Sequence, residues 1–414
     1  MFILIFILIF KDIISFKPMF YVSNFKTHLL QTNMVYNTVP ITDLIKPTKY
    51  YHFDKLPTLE PPNDTGHLTW YPIGFAKDFS SNQRQITIRD VNYIVWKHNN
   101  TYYGMRDACS HQGSSFLKGR TYANKITCPY HGYIFNGKNG NLIKIPKMVH
   151  FPCEHYNINV FKVVEKGEIV YLNTIPLNEE NKQFIDENLI FVEPEFYNSD
   201  HKVILLDKTF EQYAKLVTVN SLDICHIGFV HTFGNKQKPN PLNLVNISKL
   251  SDTHNHYHAL YKYIAGKQSL VRSMYNYSEI NVENEYILPH TTVARVLFGN
   301  FSSTIITHAL PVSVKPGLWK TKLFVKAYRN YMYYDLNKCN DLSYPFKYLI
   351  NRLGDYITLD TMVSTLQQDK DIVDNIDKFD YESMHGKFSI YYDMLSDHYK
   401  QNYNSYYENG PKSF

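Results

Sequence analysis

The sequence predicts an α+β chain: an arm over residues 1–64, a small all-β unit over 65–173, and a larger unit over 174–414 mixing helices with strands. Three observations predict it. At 414 residues the chain is too long for one small core, so two folded units are the natural expectation. From His67 the texture is one of short runs rich in β-branched and aromatic residues, broken by polar turns. Beyond Pro194 apolar residues recur three or four apart, which is the helical period.

The arm begins with an unbroken apolar run, Phe2–Phe10. It is shorter than the ~20 residues a membrane span needs, and no positive charge precedes it as in a signal peptide. Weak membrane association through this run is one reading; translation from Met19 or Met34 would leave the run out. Pro40, Pro47, Pro57, Pro61 and Pro62 then mark an irregular lead-in.

In the small unit, Trp70–Phe75, Gln85–Arg89, Tyr93–Lys97 and Thr101–Arg106 read as strands, with Asn99-Asn100 as a turn. Tyr133–Phe135 and Asn141–Ile145 form a hairpin about Asn136–Gly140, and Val160–Val164 with Glu168–Leu172 complete the unit near residue 173. Leu177–Pro194 is polar, rich in Glu and Asn, and reads as a connection.

Between these strands lie Cys109-x-His111 and Cys128-x-x-His131. Each stretch supplies one thiolate and one imidazole. A zinc finger keeps its cysteines together and its histidines together. The mixed pairing suits a Rieske-type [2Fe-2S] centre, in which two His replace two Cys on one iron and raise the reduction potential; a zinc ribbon is the alternative. Gly113 and Gly132 follow the two histidines and permit tight turns, and Pro129 presets φ between the second pair of ligands.

Five cysteines in a chain this long make no disulfide framework. Cys153, Cys225 and Cys339 read as free thiols, which points to a reducing, intracellular, cytoplasmic setting. A net charge of +5 with tyrosines scattered away from Lys and Arg argues against a nucleic-acid partner.

In the larger unit the stretch Asp207–His226 has helical periodicity, and Leu216, Asn220, Asp223 and Ile227 fall on one face. Two of those four are polar, and the pattern continues as Asp223-x-x-His226-x-x-x-x-His231. Residues five apart on one helix point about 140° away from each other, so both imidazoles reach one ion only where the helix bends or ends. Gly228 would make a bend cheap. Two ordinary histidines near a helix end are the alternative.

A carboxylate would complete the two-His, one-carboxylate triad of non-haem Fe(II) oxygenases. The late helix around Asp360–Phe379 has an apolar stripe of Met362, Val363, Leu366, Ile372, Val373 and Ile376, with Asp369 at its missing step. Asp371 and Asp374 fall off that stripe and read as solvated. A charged carboxylate facing the core is costly unless compensated, here by a metal or by a Lys or Arg.

The span from about Trp70 to Ile376 resembles the Rieske non-haem iron oxygenases, the catalytic α subunits of ring-hydroxylating and related oxygenases. Cys109-x-His111 with Cys128-x-x-His131 matches the family's cluster motif, in family-like surroundings of Arg106-Asp107, Gly119 and His131-Gly132-Tyr133. Asn220-Ser-Leu-Asp223-Ile-Cys-His226 and His231-Thr-Phe-Gly234 resemble its mononuclear-iron motif. The resemblance implies that Cys109, His111, Cys128 and His131 hold the cluster and that His226, His231 and Asp369 hold Fe(II). It makes Asp223 the carboxylate between the two metal sites, across a subunit boundary in a ring-like trimer. Val219 departs from the family, where many members carry Glu.

By the same resemblance the larger unit is a helix-grip-like catalytic domain, a helix-flanked antiparallel sheet enclosing a substrate cavity. His256–Tyr263, Thr291–Phe298, Ser303–Leu310 and Lys320–Tyr328 read as its strands. His254, His256 and His258 would share a strand face, with no Cys or carboxylate pattern completing a metal site. His308 points into the cavity or packs, and the tail after Gly386 reads as a last helix with a loose end.

No Gly-x-Gly-x-x-Gly nucleotide fingerprint follows a strand, so electrons would come from a separate reductase or ferredoxin. The resemblance implies use of O2 to hydroxylate, desaturate or dealkylate a bulky hydrophobic, ring-containing substrate. Asn220–Gly234 and Val325–Asn330 are similar to monooxygenases acting on sterols or tetrapyrroles. The rival class is a Rieske electron-transfer or redox-sensing protein without oxygenase turnover. Iron content separates the two, at about three Fe per chain against about two.

Overall fold

In the computed structural model the described residues are 70–80, 82–147, 156–243, 246–252, 255–315, 317–338, 343–378 and 388–408. The arm predicted over 1–64, Cys153, His254, Cys339 and Gly386 lie outside them.

Three antiparallel sheets hold the strands among the described residues. The first has the order β1-β10-β9-β4-β3-β2: β1 (Trp70–Phe75), β2 (Arg84–Ile88), β3 (Val91–His98), β4 (Thr101–Arg106), β9 (Val160–Lys166) and β10 (Ile169–Pro176). These are the predicted strands within a residue or a few. The unit runs beyond the expected end at 173, because β10 continues to Pro176. The second sheet is a four-stranded meander, β5 (Arg120–Tyr122), β6 (Lys125–Thr127), β7 (Ile134–Asn136) and β8 (Leu142–Lys144). Its first hairpin escaped the sequence reading: three-residue strands are too short to show alternation. Trp96 ties the two sheets together. Its buried ring stacks on Tyr103 with centroids 5.2 Å apart, and its Nε1 donates to the Ala123 carbonyl at 2.9 Å.

The third sheet belongs to the larger unit and has seven strands in the order β11-β17-β16-β15-β14-β13-β12. They are β11 (Lys202–Phe210), β12 (Asn246–Ser251), β13 (His256–Ile264), β14 (Glu279–Ile287), β15 (Thr291–Phe298), β16 (Phe301–Ser313) and β17 (Lys320–Arg329). Asp207–Phe210, expected to be helical, is the end of β11, paired with Thr321–Phe324 of β17. The period-2 pairing overrides a local pattern that reads equally well as helix. The connection holds three 3-10 turns, Lys182–Phe184, Glu187–Leu189 and Pro194–Tyr197.

Helices cover one face of the third sheet. α1 (Ala214–Leu222) packs on the sheet and against two further helices, α4 (Tyr344–Val373) and α5 (Met394–Glu408), which also reach the sheet. Two short helices, α2 (His226–Val230) and α3 (Leu270–Ser273), fall between them in sequence. Leu323, Val325 and Ala327 of β17 meet Phe210, Met362, Leu366 and Val373 on this side. The alternate residues Phe324, Lys326 and Tyr328 face the other way. Phe324 and Leu310 enter the core of the first sheet, with the Phe75 and Phe324 rings 5.5 Å apart edge to face. Backbone bonds from Arg89 N to Pro311 O (2.8 Å) and from Asp90 N to Val312 O (2.9 Å) lock the two units together.

α4 is longer than the predicted 360–379 and starts with Pro345 in its first turn, where a missing N–H is harmless. Its buried stripe is Asn351, Gly354, Thr358, Met362, Leu366, Asp369 and Val373. Val363 and Ile372, assigned to the stripe from sequence, are exposed instead. Asp369 does sit in it. Burial of Met362, Leu366 and Val373 contributes about 2 kcal/mol each, enough to hold the helix down over one carboxylate whose own partners lie close by. Asp371 is exposed as expected, whereas Asp374 is half-buried and accepts from Glu211 N at 2.9 Å.

Candidate metal centres

Cys109 and Cys128 sit in two turns of the same construction. The Cys109 carbonyl accepts from Gly113 N at 2.7 Å and the Cys128 carbonyl from Gly132 N at 3.0 Å. Gly113 and Gly132 have φ of +70° and +73°, the left-handed region that the predicted tight turns require. Asp107 pins the first turn: its buried carboxylate accepts from Phe116 N and from Ser115 Oγ, each at 2.7 Å, and from Gln85. The two thiols are buried and adjacent, and the two imidazoles lie at the surface with their Nδ1 atoms 3.1 Å apart.

Burial, with Cys128 beside it, pushes the Cys109 thiol up to about 11, against the His111 and Gln112 amides directed at its sulfur. Thiols placed so have little reason to ionise except toward a metal, and amide donors aimed at sulfur suit an iron–sulfur site. The residues fit a [2Fe-2S] cluster with thiolates on the inside and imidazoles outside.

The second constellation lies under α1. That helix ends at Leu222; Asp223 leaves helical geometry at ψ 119°, and α2 restarts at His226. Asp223 Oδ1 accepts from Cys225 N (2.8 Å) and His226 N (3.2 Å), an Asx turn that starts the new helix. α2 stops at Val230, so His231 is extended. The bend expected at Gly228 is therefore displaced to the helix end. Gly228 serves close approach instead: a Cβ there would lie 2.6 Å from the Cβ of Pro239.

The result brings both imidazoles to one point. His226 Nε2 and His231 Nε2 are 3.2 Å apart, and each is 3.4 Å from Asp369 Oδ1. The outer nitrogens are occupied: His226 Nδ1 donates to the Asp223 carbonyl at 2.7 Å, and His231 Nδ1 lies 3.2 Å from Gln368 Oε1. Fixing Nδ1 as the donor leaves Nε2 as the metal-facing lone pair. Asn220 Nδ2 donates to Asp369 Oδ1 at 3.0 Å. No lysine or arginine pairs with Asp369 among the described residues, so the alternative of a salt-bridged carboxylate does not apply. Burial pushes the His231 pKa down; at His226 burial is outweighed by Asp369 and Asp223, and the pKa rises. Three ligand atoms of this type within 4.8 Å of one another fit a divalent metal with open positions.

Sequence reasoning missed Gln368, a half-buried helix residue that no spacing rule marks. Cys225 is a free thiol, as the sequence suggests, and burial with Asp223 pushes it up to about 12. His256 and His258 do share a strand, and each meets a carboxylate. His256 Nε2 is 2.7 Å from Glu285 and His258 Nδ1 is 3.1 Å from Glu283. Burial, Arg295 and His258 lower His256 to about 4, so the contact is a neutral imidazole N–H donating to Glu285. His308 packs: it is buried against the Tyr171 ring and bonds Thr291 at 3.0 Å, on the face turned away from the helices. Among the described residues no helix is long and apolar enough to cross a membrane.

Comparison with known proteins bears on the fold that carries these sites. Residues 69–166 match the family described as the Rieske [2Fe-2S] domain. The chain is 27% identical over 128 residues to chlorophyllide a oxygenase of Chlamydomonas reinhardtii, covering 31% of this chain and 18% of that protein. It is 23% identical over 168 residues to cholesterol 7-desaturase of Hemicentrotus pulcherrimus, covering 39% and 35%. The chain thus spans less than half the length of these relatives. Among solved structures, dicamba monooxygenase bound to dicamba superposes with a TM-score of 0.65 at 13% identity, over 82% of this chain and 97% of that one. Residues 69–166 are a Rieske [2Fe-2S] domain, and the chain joins it to a helix-flanked sheet in the fold of the Rieske non-haem iron oxygenases.

Proposed function

We propose that this chain is the oxygenase component of a Rieske-type system, taking electrons from a separate reductase or ferredoxin and oxidising a bulky, hydrophobic, ring-containing substrate with O2. The observation that carries the reading is the convergence of His226 Nε2, His231 Nε2 and Asp369 Oδ1, with both Nδ1 atoms already engaged. An electron carrier has no use for such a site.

In this reading Cys109, Cys128, His111 and His131 hold the cluster and His226, His231 and Asp369 hold Fe(II). The cluster supplies single electrons and the mononuclear iron supplies O2 activation. The exposed imidazoles of His111 and His131 present the cluster edge to another molecule, either the electron donor or a second copy of this chain in a homo-oligomer such as a trimer. Asp223 would be the carboxylate between the two sites across a subunit boundary; within this chain its carbonyl fixes the tautomer of His226 and its carboxylate fixes the start of α2. Asn220 and Gln368 hold Asp369 and His231 in place, and the burial of His231 and Asp369 with a half-buried His226 limits water at the reacting side.

Hydroxylation, desaturation and dealkylation would use the same residues. The named activities of the relatives, on chlorophyllide and cholesterol, support ring compounds of that bulk. The test is O2 uptake and product analysis with a surrogate reductase and a panel of sterols and tetrapyrroles, comparing wild type with Asp369→Ala. The variant should keep the cluster's absorption and lose turnover; unaltered turnover would remove Asp369 from the site.

A further inference from the structure

α4 buries one stripe against the sheet and leaves a second apolar stripe bare. Leu349, Tyr356, Leu359 and Val363 are 46%, 66%, 42% and 51% exposed, and Leu353 among them is half-buried. Leu349, Tyr356 and Val363 are spaced by heptads, so they drift only about 20° from one to the next and line up along the helix. Val363, which the sequence places in the buried stripe, belongs to this second one. The row runs for about 21 Å at 1.5 Å per residue. Single exposed apolar residues are ordinary, whereas a contiguous row of large ones marks a surface that meets another molecule.

Arg352 and Asp360 flank Tyr356 at equal distances, one four residues before it and the other four after. Both are exposed, and neither meets an opposite charge among the described residues. The nearby Asp355 is already taken by Arg329 at 2.7 Å.

The order of residues about Tyr356 says what the row fits. A two-fold axis through Tyr356, perpendicular to the helix, lays a second copy of α4 antiparallel on the first. Each residue then lies opposite the one equally far from Tyr356 on the other side. Leu349 meets Val363, Leu353 meets Leu359, Arg352 meets Asp360, and Tyr356 meets itself. Apolar side chains face apolar ones, and the Arg–Asp pair forms twice. Moving the axis four residues either way would set Arg352 on Arg352 or Asp360 on Asp360, so the charges fix the register. A lipid surface would repel Asp360 through its anionic headgroups. The apolar run Phe2–Phe10 offers no charge to Arg352 or Asp360.

We infer that this face of α4 is a pairing surface for a second copy of the chain, joined antiparallel about Tyr356 with Arg352 of each copy against Asp360 of the other. None of these residues is a candidate metal ligand, so the inference stands apart from the oxygenase reading. A two-fold contact of this kind doubles whatever ring the chain forms through other surfaces.

Sedimentation equilibrium of the full chain over a range of concentrations tests it. Arg352→Asp and Asp360→Arg each set like charges against one another at both ends of the contact, so each should raise its dissociation constant about 100-fold. At a concentration where wild type is paired, both single variants should show half its mass. The double variant, Arg352→Asp with Asp360→Arg, should return to the wild-type mass, a rescue that a chain damaged in its fold would not show. Equal masses for wild type and the single variants would give the row to the arm or to a different molecule and overturn the inference. A double variant that stays at half the wild-type mass would overturn it as well.

Discussion

The Rieske loops draw all four candidate ligands from one stretch of the small unit, while the mononuclear site needs partners as far apart as His231 and Gln368, 137 residues along the chain. The loops bury their thiols and leave the imidazoles at the surface; the second site buries its carboxylate and His231 and leaves His226 only partly exposed. That contrast matches what the proposed function asks of each site. An electron relay must bring its edge close to another molecule, whereas oxygen chemistry needs water kept out. The first site is made by backbone turns with glycines at positive φ, the second by packing helices against a sheet. Damage to each should therefore have a different reach.

The largest expected effect breaks the first site alone. Cys128→Ala removes a ligand and strands the buried Cys109 thiol, so the cluster's visible absorption and about two Fe per chain should vanish. The mononuclear metal should stay, because no ligand of that site comes from the small unit; joint loss of both would contradict the separation drawn here. Gly228→Ala probes the second site through packing. A methyl 2.6 Å from Pro239 must push α2 outward and drag His226 and His231 off their common point. Cobalt titration should show an affinity for that site lowered about 100-fold at the upper end of outer-shell effects, with the cluster spectrum unaltered. Gln368→Leu should weaken the same titration by only about 10-fold, since His231 keeps its stacking on Phe233. An affinity equal to wild type would show that Gln368 does not orient the ring.

The smallest effect concerns the scaffold around both sites. Burial lowers the pKa of His290 and of His308 to about 3. The folded protein holds both neutral, while the unfolded chain takes up protons below about 6.5. Their contribution is therefore complete above that pH and is lost as pH falls from about 6.5 toward about 3. Over the first unit below 6.5 the loss should be about 1 kcal/mol for each, read by urea denaturation at several pH values. Replacing His308 by Gln should remove its share of that slope, and an unchanged slope would place the proton uptake elsewhere.

How much of this was legible in the sequence follows the same division. The cluster ligands, their glycine turns and most strands of the first sheet could be read because the information is local: spacing, alternation and turn residues. Asp369 was legible because a carboxylate breaks an apolar stripe, although Val363 and Ile372 were wrongly placed on it. β11 was not, since Asp207–Phe210 carries no pattern that separates strand from helix until β17 lies beside it. The three-residue strands β5 and β6 were too short to show a period. Gln368 depends on contacts that only the folded chain creates.

Metal analysis of one pair of proteins tests the central claim most directly. Wild type, purified anaerobically and supplied with iron, should carry about three Fe per chain, and Asp369→Ala about two, with the same reduced-cluster paramagnetic signal. Two Fe in the wild type, or a third that survives in the variant, would contradict the account.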